Sequence, residues 1–197
     1  ERIDSTNAEA LRRAALGERG PQWFVTAEQT AGRGRRDRAW SAPRGNLAAS
    51  IFEVIDVTPA VAATLGFVAG LAVHAALRSI CTLAPELPPP DFALKWPNDV
   101  LVGGAKLVGI LLEAEAAGPG QLAIVAGIGV NVVAAPSDTP YPAASLASLG
   151  IVTSAEAVFA ALSDAWAEYR GMWNRGDGFP DIRGLWLKRA AGVGLPV

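Results

Sequence analysis

Apolar and polar positions alternate at three different rhythms along this chain, and each rhythm predicts a different kind of element. Short runs with β-branched or aromatic content, QWFVTA (22–27) and NLAASIFEVI (46–55), read as strands. From Val57 to Leu77 the chain runs without Asp, Glu, Lys or Arg (VTPAVAATLGFVAGLAVHAAL). That length is too great for a strand, so a helix is expected from near Pro59 up to the prolines at 85, 88, 89 and 90. FALKW, VLVG, KLVGILLEAEA and QLAIVAGIGVNVV then follow as strands, separated by PND, Gly103-Gly104 and Gly118-Pro119-Gly120 turns. In the tail, Val158, Phe159, Leu162, Trp166, Tyr169 and Trp173 recur at helical spacing and form a core stripe.

Helix starts are marked by two candidate capping boxes, Thr6 with Glu9 before a helix from about Asn7 to Leu16, and Thr153 with Glu156. Helices therefore stand before, between and after strands joined by tight turns. The expected fold class is α+β: a mixed, largely antiparallel sheet with its helices gathered on one face.

Composition narrows the function classes. With 51% hydrophobic and 18% charged residues over 197 positions, the chain is a packed globule rather than a disordered one. A net charge of −2 argues against a surface that tracks nucleic acid as a whole, so any polyanion contact must be local. The 57–77 stretch is long enough to span a bilayer and carries Gly66 and Gly70 in a GxxxG. It holds nine Ala and Gly against three Leu and no Ile, however, together with Pro59 and His74, which favours a buried helix over a membrane span. Cys81, the single cysteine, rules out an internal disulfide and suits a reducing, cytoplasmic compartment.

Candidate chemistry lies in three places. In QTAGRGRRDRAW (29–40), Arg33, Arg35, Arg36 and Arg38 crowd six residues, and with Arg44 they face only Glu28 and Asp37. Five cations against two anions leave +3 in an acidic chain. Phosphate binding through guanidinium forks and glycine-exposed N–H groups, a solvated loop and a nucleic-acid patch are the competing readings. KWPNDV (95–100) is either a plain β-turn or a reaction centre, in which Asp99 and Asn98 are bracketed by Lys95 and Lys106, two of the chain's three lysines. AGIGVNV places Gly127, Gly129 and Asn131 on one side of a strand. That bare face admits either a ligand or close packing against the Gly66/Gly70 helix. His74 and Cys81 read as structural, and no cluster has metal-ligand spacing.

DSTN (4–7), QTAGRGRRDRAW (29–40), KWPNDV (95–100), KLVGILLE (106–113) and GIGVNV (127–132), in this order, resemble the biotin protein ligases. The resemblance implies a catalytic domain of the class II synthetase-like biotin/lipoate ligase fold over 1–190, with 191–197 as the start of a C-terminal SH3-like domain. It implies ATP-dependent formation of biotinyl-5′-AMP, then transfer of biotin to a lysine of the biotin carboxyl carrier protein of acetyl-CoA carboxylase or a related enzyme. ATP, Mg²⁺ carried by ATP, and biotin as substrate come with it. A homodimer is compatible with it; nucleic-acid and membrane partners are not expected.

Residue by residue, the resemblance places Ser5, Thr6 and Gln29 at the ureido ring of biotin, with Asn7 also biotin-binding, Gly32 and Gly109 along its slot and the backbone of Gly34 in the loop that folds over it. Arg33 and Arg35 would fold over biotin and the phosphates, and Lys106 would contact the biotin carboxylate and α-phosphate. Arg36, Arg38, Trp40, Lys95, Asn98 and Asn131 would serve the nucleotide. Asp99 would orient or deprotonate the incoming amine, making Lys106, Arg33, Arg35 and Asp99 the catalytic set. Asp37 stands where the family loop commonly has glycine, which predicts a stiffer loop. No helix-turn-helix precedes DSTN, so the ligase-repressor form is not expected. The rival readings are a lipoate or octanoate ligase or transferase of the same fold, and an idle biotin-binding module.

Overall fold

A computed structural model describes residues 2–82 and 90–192. The expected helix stop at prolines 85, 88 and 89 and the 193–197 tail lie outside the described residues. A two-residue strand β1 (Arg2–Ile3) leads into helix α1 (Thr6–Ala15). β2 (Gln22–Thr26), β3 (Glu28–Gln29) and β4 (Leu47–Ile55) follow, with the arginine loop between the last two. Next come α2 (Pro59–Ala63) and α3 (Leu65–Thr82), then β5 (Phe92–Lys95), β6 (Asp99–Val102), β7 (Ala105–Ala116) and β8 (Leu122–Val130). Two helices, α4 (Ala155–Trp173) and α5 (Phe179–Leu187), close the described chain.

The strands form one six-stranded sheet in the order β2-β4-β8-β7-β6-β5, antiparallel at every pairing. Parallel pairing among the described residues is confined to the separate β1–β3 ladder and to single bridges from Leu94 to Ala190 and from Lys106 to Ala143. The alternation along β4 and β8 assigns two faces. Leu47, Ala49 and Ile51 with Ile124, Ala126 and Ile128 join α3, α4 and α5 in the main core. Phe52, Ala123 and Val125 join Ala10 of α1 in a smaller cluster. Helices thus cover both faces, which corrects the one-face expectation: the amphipathic α1 supplies a second small core and leaves the rest of its face open.

Cap positions also differ from expectation. Ser5, not Thr6, caps α1 by accepting from Ala8 N at 3.5 Å, and Glu9 turns to Arg12 and Arg13. Ser154, not Thr153, caps α4 through Ala157 N. In both places the neighbouring hydroxyl reaches the free N–H groups from the residue that keeps an extended backbone. The long apolar segment breaks at Thr64, whose hydroxyl donates to Val61 O and accepts from Trp173 Nε1, dividing α2 from α3. Pro59–Thr82 is the one stretch among the described residues apolar and long enough for a span, and α3 is packed between the sheet and α4 and α5. Across the main core, Glu53 of β4 receives Arg170 of α4 through two bonds of 2.7 and 2.9 Å, while that guanidinium lies over the Trp173 ring. Such a paired, half-buried fork fixes helix against strand.

Candidate functional site

The open part of the α1 face is where the motifs meet. A cavity of about 310 Å³ is lined by Ser5, Thr6, Asn7 and Gln29 at one end and by the arginine loop, Lys95, Asn98, Asp99 and Lys106 at the other. Its floor is β7 and β8, where Gly109, Gly127 and Gly129 contribute no side chains.

Those glycines are required by close approach. A Cβ at Gly127 would lie 2.1 Å from Asn7 Oδ1, and one at Gly129 would lie 2.3 Å from Trp40 Cε2. At Gly109 the nearest atom would be Trp40 Cζ3, at 2.7 Å. The bare strip therefore receives Asn7 and the Trp40 indole. Packing against the Gly66/Gly70 helix does not occur, because α3 lies on the opposite face; Gly70 instead meets Trp186 and Leu94.

At the polar end, Asp4 fixes the start of α1. Its carboxylate accepts from Ser5 N and takes both arms of the Arg12 guanidinium at 2.8 Å, which holds the carboxyl well below the usual carboxylate range. Backbone bonds from Ala31 N to Asp4 O and Thr30 N to Ile3 O tie this segment to the base of the arginine loop. Gln29 Oε1 accepts from Thr6 N at 2.8 Å, so its amide nitrogen is turned away from Thr6. Ser5, Thr6 and Asn7 are each only 3% exposed, a depth at which unpaired polar groups are costly.

The arginine loop is an ordered miniature hairpin: Arg33 bridges Ala39, Gly34 N donates to Arg38 O at 2.7 Å and Trp40 N to Gly32 O at 2.9 Å. Left-handed backbone falls on Arg36 (φ 55°), not on Gly32 or Gly34 as the glycine pattern suggests. Gly32 is needed for another reason: a Cβ there would lie 2.4 Å from Trp40 O. Arg33 reaches Glu113 at 3.2 Å and Arg35 reaches Asn98 Oδ1 at 3.4 Å. Arg36 and Arg38 also line the cavity, whereas Arg44 lies outside it, 3.7 Å from Glu28.

Lys106 faces the cavity because of a register break. Val100 pairs with Val108 but Leu101 pairs with Lys106, so Leu107 is an extra residue that enters the main core and turns Lys106 to the opposite side. A bulge re-aims a side chain in this way. Lys106 Nζ stands 2.7 Å from Asp99 Oδ1, at an angle outside hydrogen-bond geometry, and no other donor reaches that oxygen. It also stands 5.6 and 5.5 Å from the ring centres of Trp40 and Tyr141. Among the described residues the lining carries six cationic side chains, Arg33, Arg35, Arg36, Arg38, Lys95 and Lys106, against one carboxylate, Asp99. A polyanion fits that end of the cavity.

Two of the expected residues are placed elsewhere. Gly32 braces the loop behind the wall, and Asn131 is buried, its N–H on Leu107 O and its Nδ2 on Ala144 O, steadying the segment that carries Tyr141. Tyr141, Ser50 and Glu113 escape the sequence reading. Glu113 could have been found, since it shares the Gly109–Leu111 side of β7; Tyr141 has no local signal. Among the described residues no group of three or more His, Cys, Asp or Glu side chains could hold a metal. Cys81 is buried, its thiol pushed up by burial, and is not part of the cavity.

Residues 1–131 match the biotin/lipoate A/B protein ligase family, and the chain belongs to it. Among its relatives, the biotin–[acetyl-CoA-carboxylase] ligase of Paracoccus denitrificans is 42% identical over all of this chain and 81% of that protein. The enzyme of the same name from Mycobacterium tuberculosis is 45% identical over 75% of this chain, but only 53% of its own length is covered. In structure, the chain is similar to the Leishmania major biotin protein ligase in complex with biotinyl-5-AMP (TM-score 0.78, 24% identity, 100% of this chain and 81% of that one). It is also similar to the Aquifex aeolicus biotin protein ligase in complex with biotin and ATP (TM-score 0.75, 25% identity, 97% and 76%).

Proposed function

We propose that this chain activates biotin with ATP and transfers it to a lysine of a biotin carboxyl carrier protein. The observation that carries the reading is the division of one cavity into a polar end suited to a cyclic urea and a cationic end suited to a triphosphate. Ser5, Thr6 and Gln29 supply the donors and acceptors a buried urea must have matched, with Asn7 behind them bonded to Glu113, Leu111 and Ser50. The glycine strip and Trp40 form the slot for the ring and its acyl chain.

In the first half-reaction a carboxylate oxygen of biotin attacks the α-phosphorus of ATP, and pyrophosphate leaves. Lys106, aimed at that junction by the Leu107 bulge, offsets the charge that builds on the α-phosphate. Arg33, Arg35, Arg36, Arg38 and Lys95 neutralise the remaining phosphates, and Trp40 and Tyr141 offer aromatic faces on either side of Lys106. Asn98 holds Arg35 in place. No group of carboxylates among the described residues would hold a metal, so any magnesium would come with ATP and add to the charge neutralisation that the arginines supply. When the α-phosphate takes over Lys106, Asp99 is released from its ion pair. It then accepts the proton of the carrier lysine as that amine attacks the acyl carbon and AMP leaves.

Residues 1–190 form the catalytic domain in this reading. A cytoplasmic location and a homodimer belong to the same proposal, the latter read by sedimentation velocity. ATP–pyrophosphate exchange tests the first step: exchange that depends on biotin supports the assignment, and exchange driven by lipoate but not by biotin overturns it. Transfer of labelled biotin to a carrier fragment tests the second.

A further inference from the structure

Four polar side chains behind the urea end form a relay that starts at Glu113, a residue outside the cavity lining. Asn7 Nδ2 donates to Glu113 Oε2 at 2.7 Å and to Leu111 O at 3.3 Å. Both partners are acceptors only, so the amide cannot be reversed without setting its oxygen against two others. Asn7 Oδ1 is thereby turned to Gly127 and Ser50, and accepts the Ser50 hydroxyl proton at 2.5 Å. Ser50 is fully buried and has one proton. With that proton committed to Asn7, it no longer serves the 2.7 Å contact to Thr6 Oγ1, which is then bridged by the Thr6 proton unless that proton goes to Gln29 Oε1, 3.2 Å away; on either acceptor it points away from the cavity. Thr6 Oγ1, on the cavity wall, is left with lone pairs and no proton to offer a ligand.

We propose that Glu113 is a positioning residue that sets ligand specificity: by fixing the sense of the Asn7–Ser50–Thr6 relay, it makes Thr6 an acceptor and so selects a ring that presents N–H donors. This rests on the biotin reading above and adds the residue that determines the pocket's donor–acceptor sense. Without the acceptor at 113, Asn7 can turn over and Ser50 can donate to Thr6, so the Thr6 proton is no longer needed in the relay and is shared between Gln29 Oε1 and a ligand in the cavity.

The test compares binding of biotin with that of its cyclic carbamate analogue, in which a ring oxygen replaces one ring N–H, by isothermal titration on the whole chain. Wild type is expected to prefer biotin, and Glu113→Leu to lose roughly ten- to hundredfold of that preference, the range for a buried acceptor exchanged for a mismatched donor. Ser50→Ala, which cuts the relay in its middle, should lose a similar factor, with no further loss in the double variant. Glu113→Gln, whose amide oxygen still accepts from Asn7, should keep the preference, as should Glu115→Gln, an exposed carboxylate on the same strand. Glu113 Oε2 also receives Arg33 at 3.2 Å, so the readout is the ratio of the two ligands' affinities without nucleotide, which a freed Arg33 does not set, rather than kcat. Glu113→Leu as selective as wild type, or Glu113→Gln as unselective as Glu113→Leu, overturns the inference while biotin binding by wild type keeps the functional reading intact. A wild-type chain that binds neither ligand overturns both.

Discussion

Gly129→Ala tests whether the glycine strip serves the cavity or merely the sheet. The added methyl would lie 2.3, 2.4 and 2.5 Å from Cε2, Nε1 and Cζ2 of Trp40, whereas non-bonded carbons touch at about 3.5–4.0 Å. The indole must retreat by roughly 1 Å or more. Its backbone cannot follow, because Trp40 N is held on Gly32 O and Arg33 is bridged to Ala39, so the ring swings off the strand instead. Lifting one indole face exposes on the order of 100 Å², about 2.5 kcal/mol at 25 cal/mol per Å². The closed wall of the cavity is weakened by that amount. Gly129 has no positive φ, and β8 keeps its pairing with β4 and β7, so the sheet tolerates alanine. The expected outcome is therefore twofold: biotin Kd by isothermal titration rises about 10–100-fold, while the melting temperature falls by no more than the displaced indole accounts for, about 5–10 °C. Near-UV circular dichroism should report the displaced indole. An unchanged biotin Kd would refute the assignment of Trp40 and the strip to the ligand slot, and a melting temperature lowered by more than about 10 °C would refute the claim that the sheet is indifferent.

Gly66→Ala should do the opposite, because a Cβ there meets nothing within 4 Å and the site lies inside α3; thermal unfolding should show stabilisation by about 0.5–1 kcal/mol. Lys106→Ala should lower biotin-dependent pyrophosphate exchange by about 10²–10³-fold. Asp99→Ala should leave exchange within about tenfold yet lower transfer to the carrier lysine by about 10²-fold or more, measured in single-turnover assays with preformed biotinyl-5′-AMP. His74 is held down to about 4 from 6.5, by burial first and then by the charge of Arg189. The native state therefore binds fewer protons than the unfolded chain between those values, and stability falls as pH drops from about 6.5 towards 4. After allowance for its partial exposure, the loss is about 1–2 kcal/mol, and a His74→Gln variant should show a flatter melting-temperature profile over that range.

The sequence by itself determined the features that short-range physics controls. Alternation in NLAASIFEVI and QLAIVAGIGVNVV places β4 and β8, and the turn residues after Lys95 and Val102 place the β5–β6–β7 hairpins, because strand period and turn dihedrals are local. The ordered motifs likewise carried the biotin-ligase reading, and the alternation put Gly127 and Gly129 on one side of their strand. Which side that was, the tertiary structure alone decided. The two faces of a strand are equivalent until helices pack, and α1 took the face that periodicity had left unassigned. Lys106 faces the cavity only because Leu107 is unpaired against β6, a mismatch defined by two strands together. Glu113 meets Asn7, and Tyr141 meets Lys106, through folding of distant segments. A carboxylate's or phenol's partner is set by long-range burial, for which no spacing along the chain is a substitute.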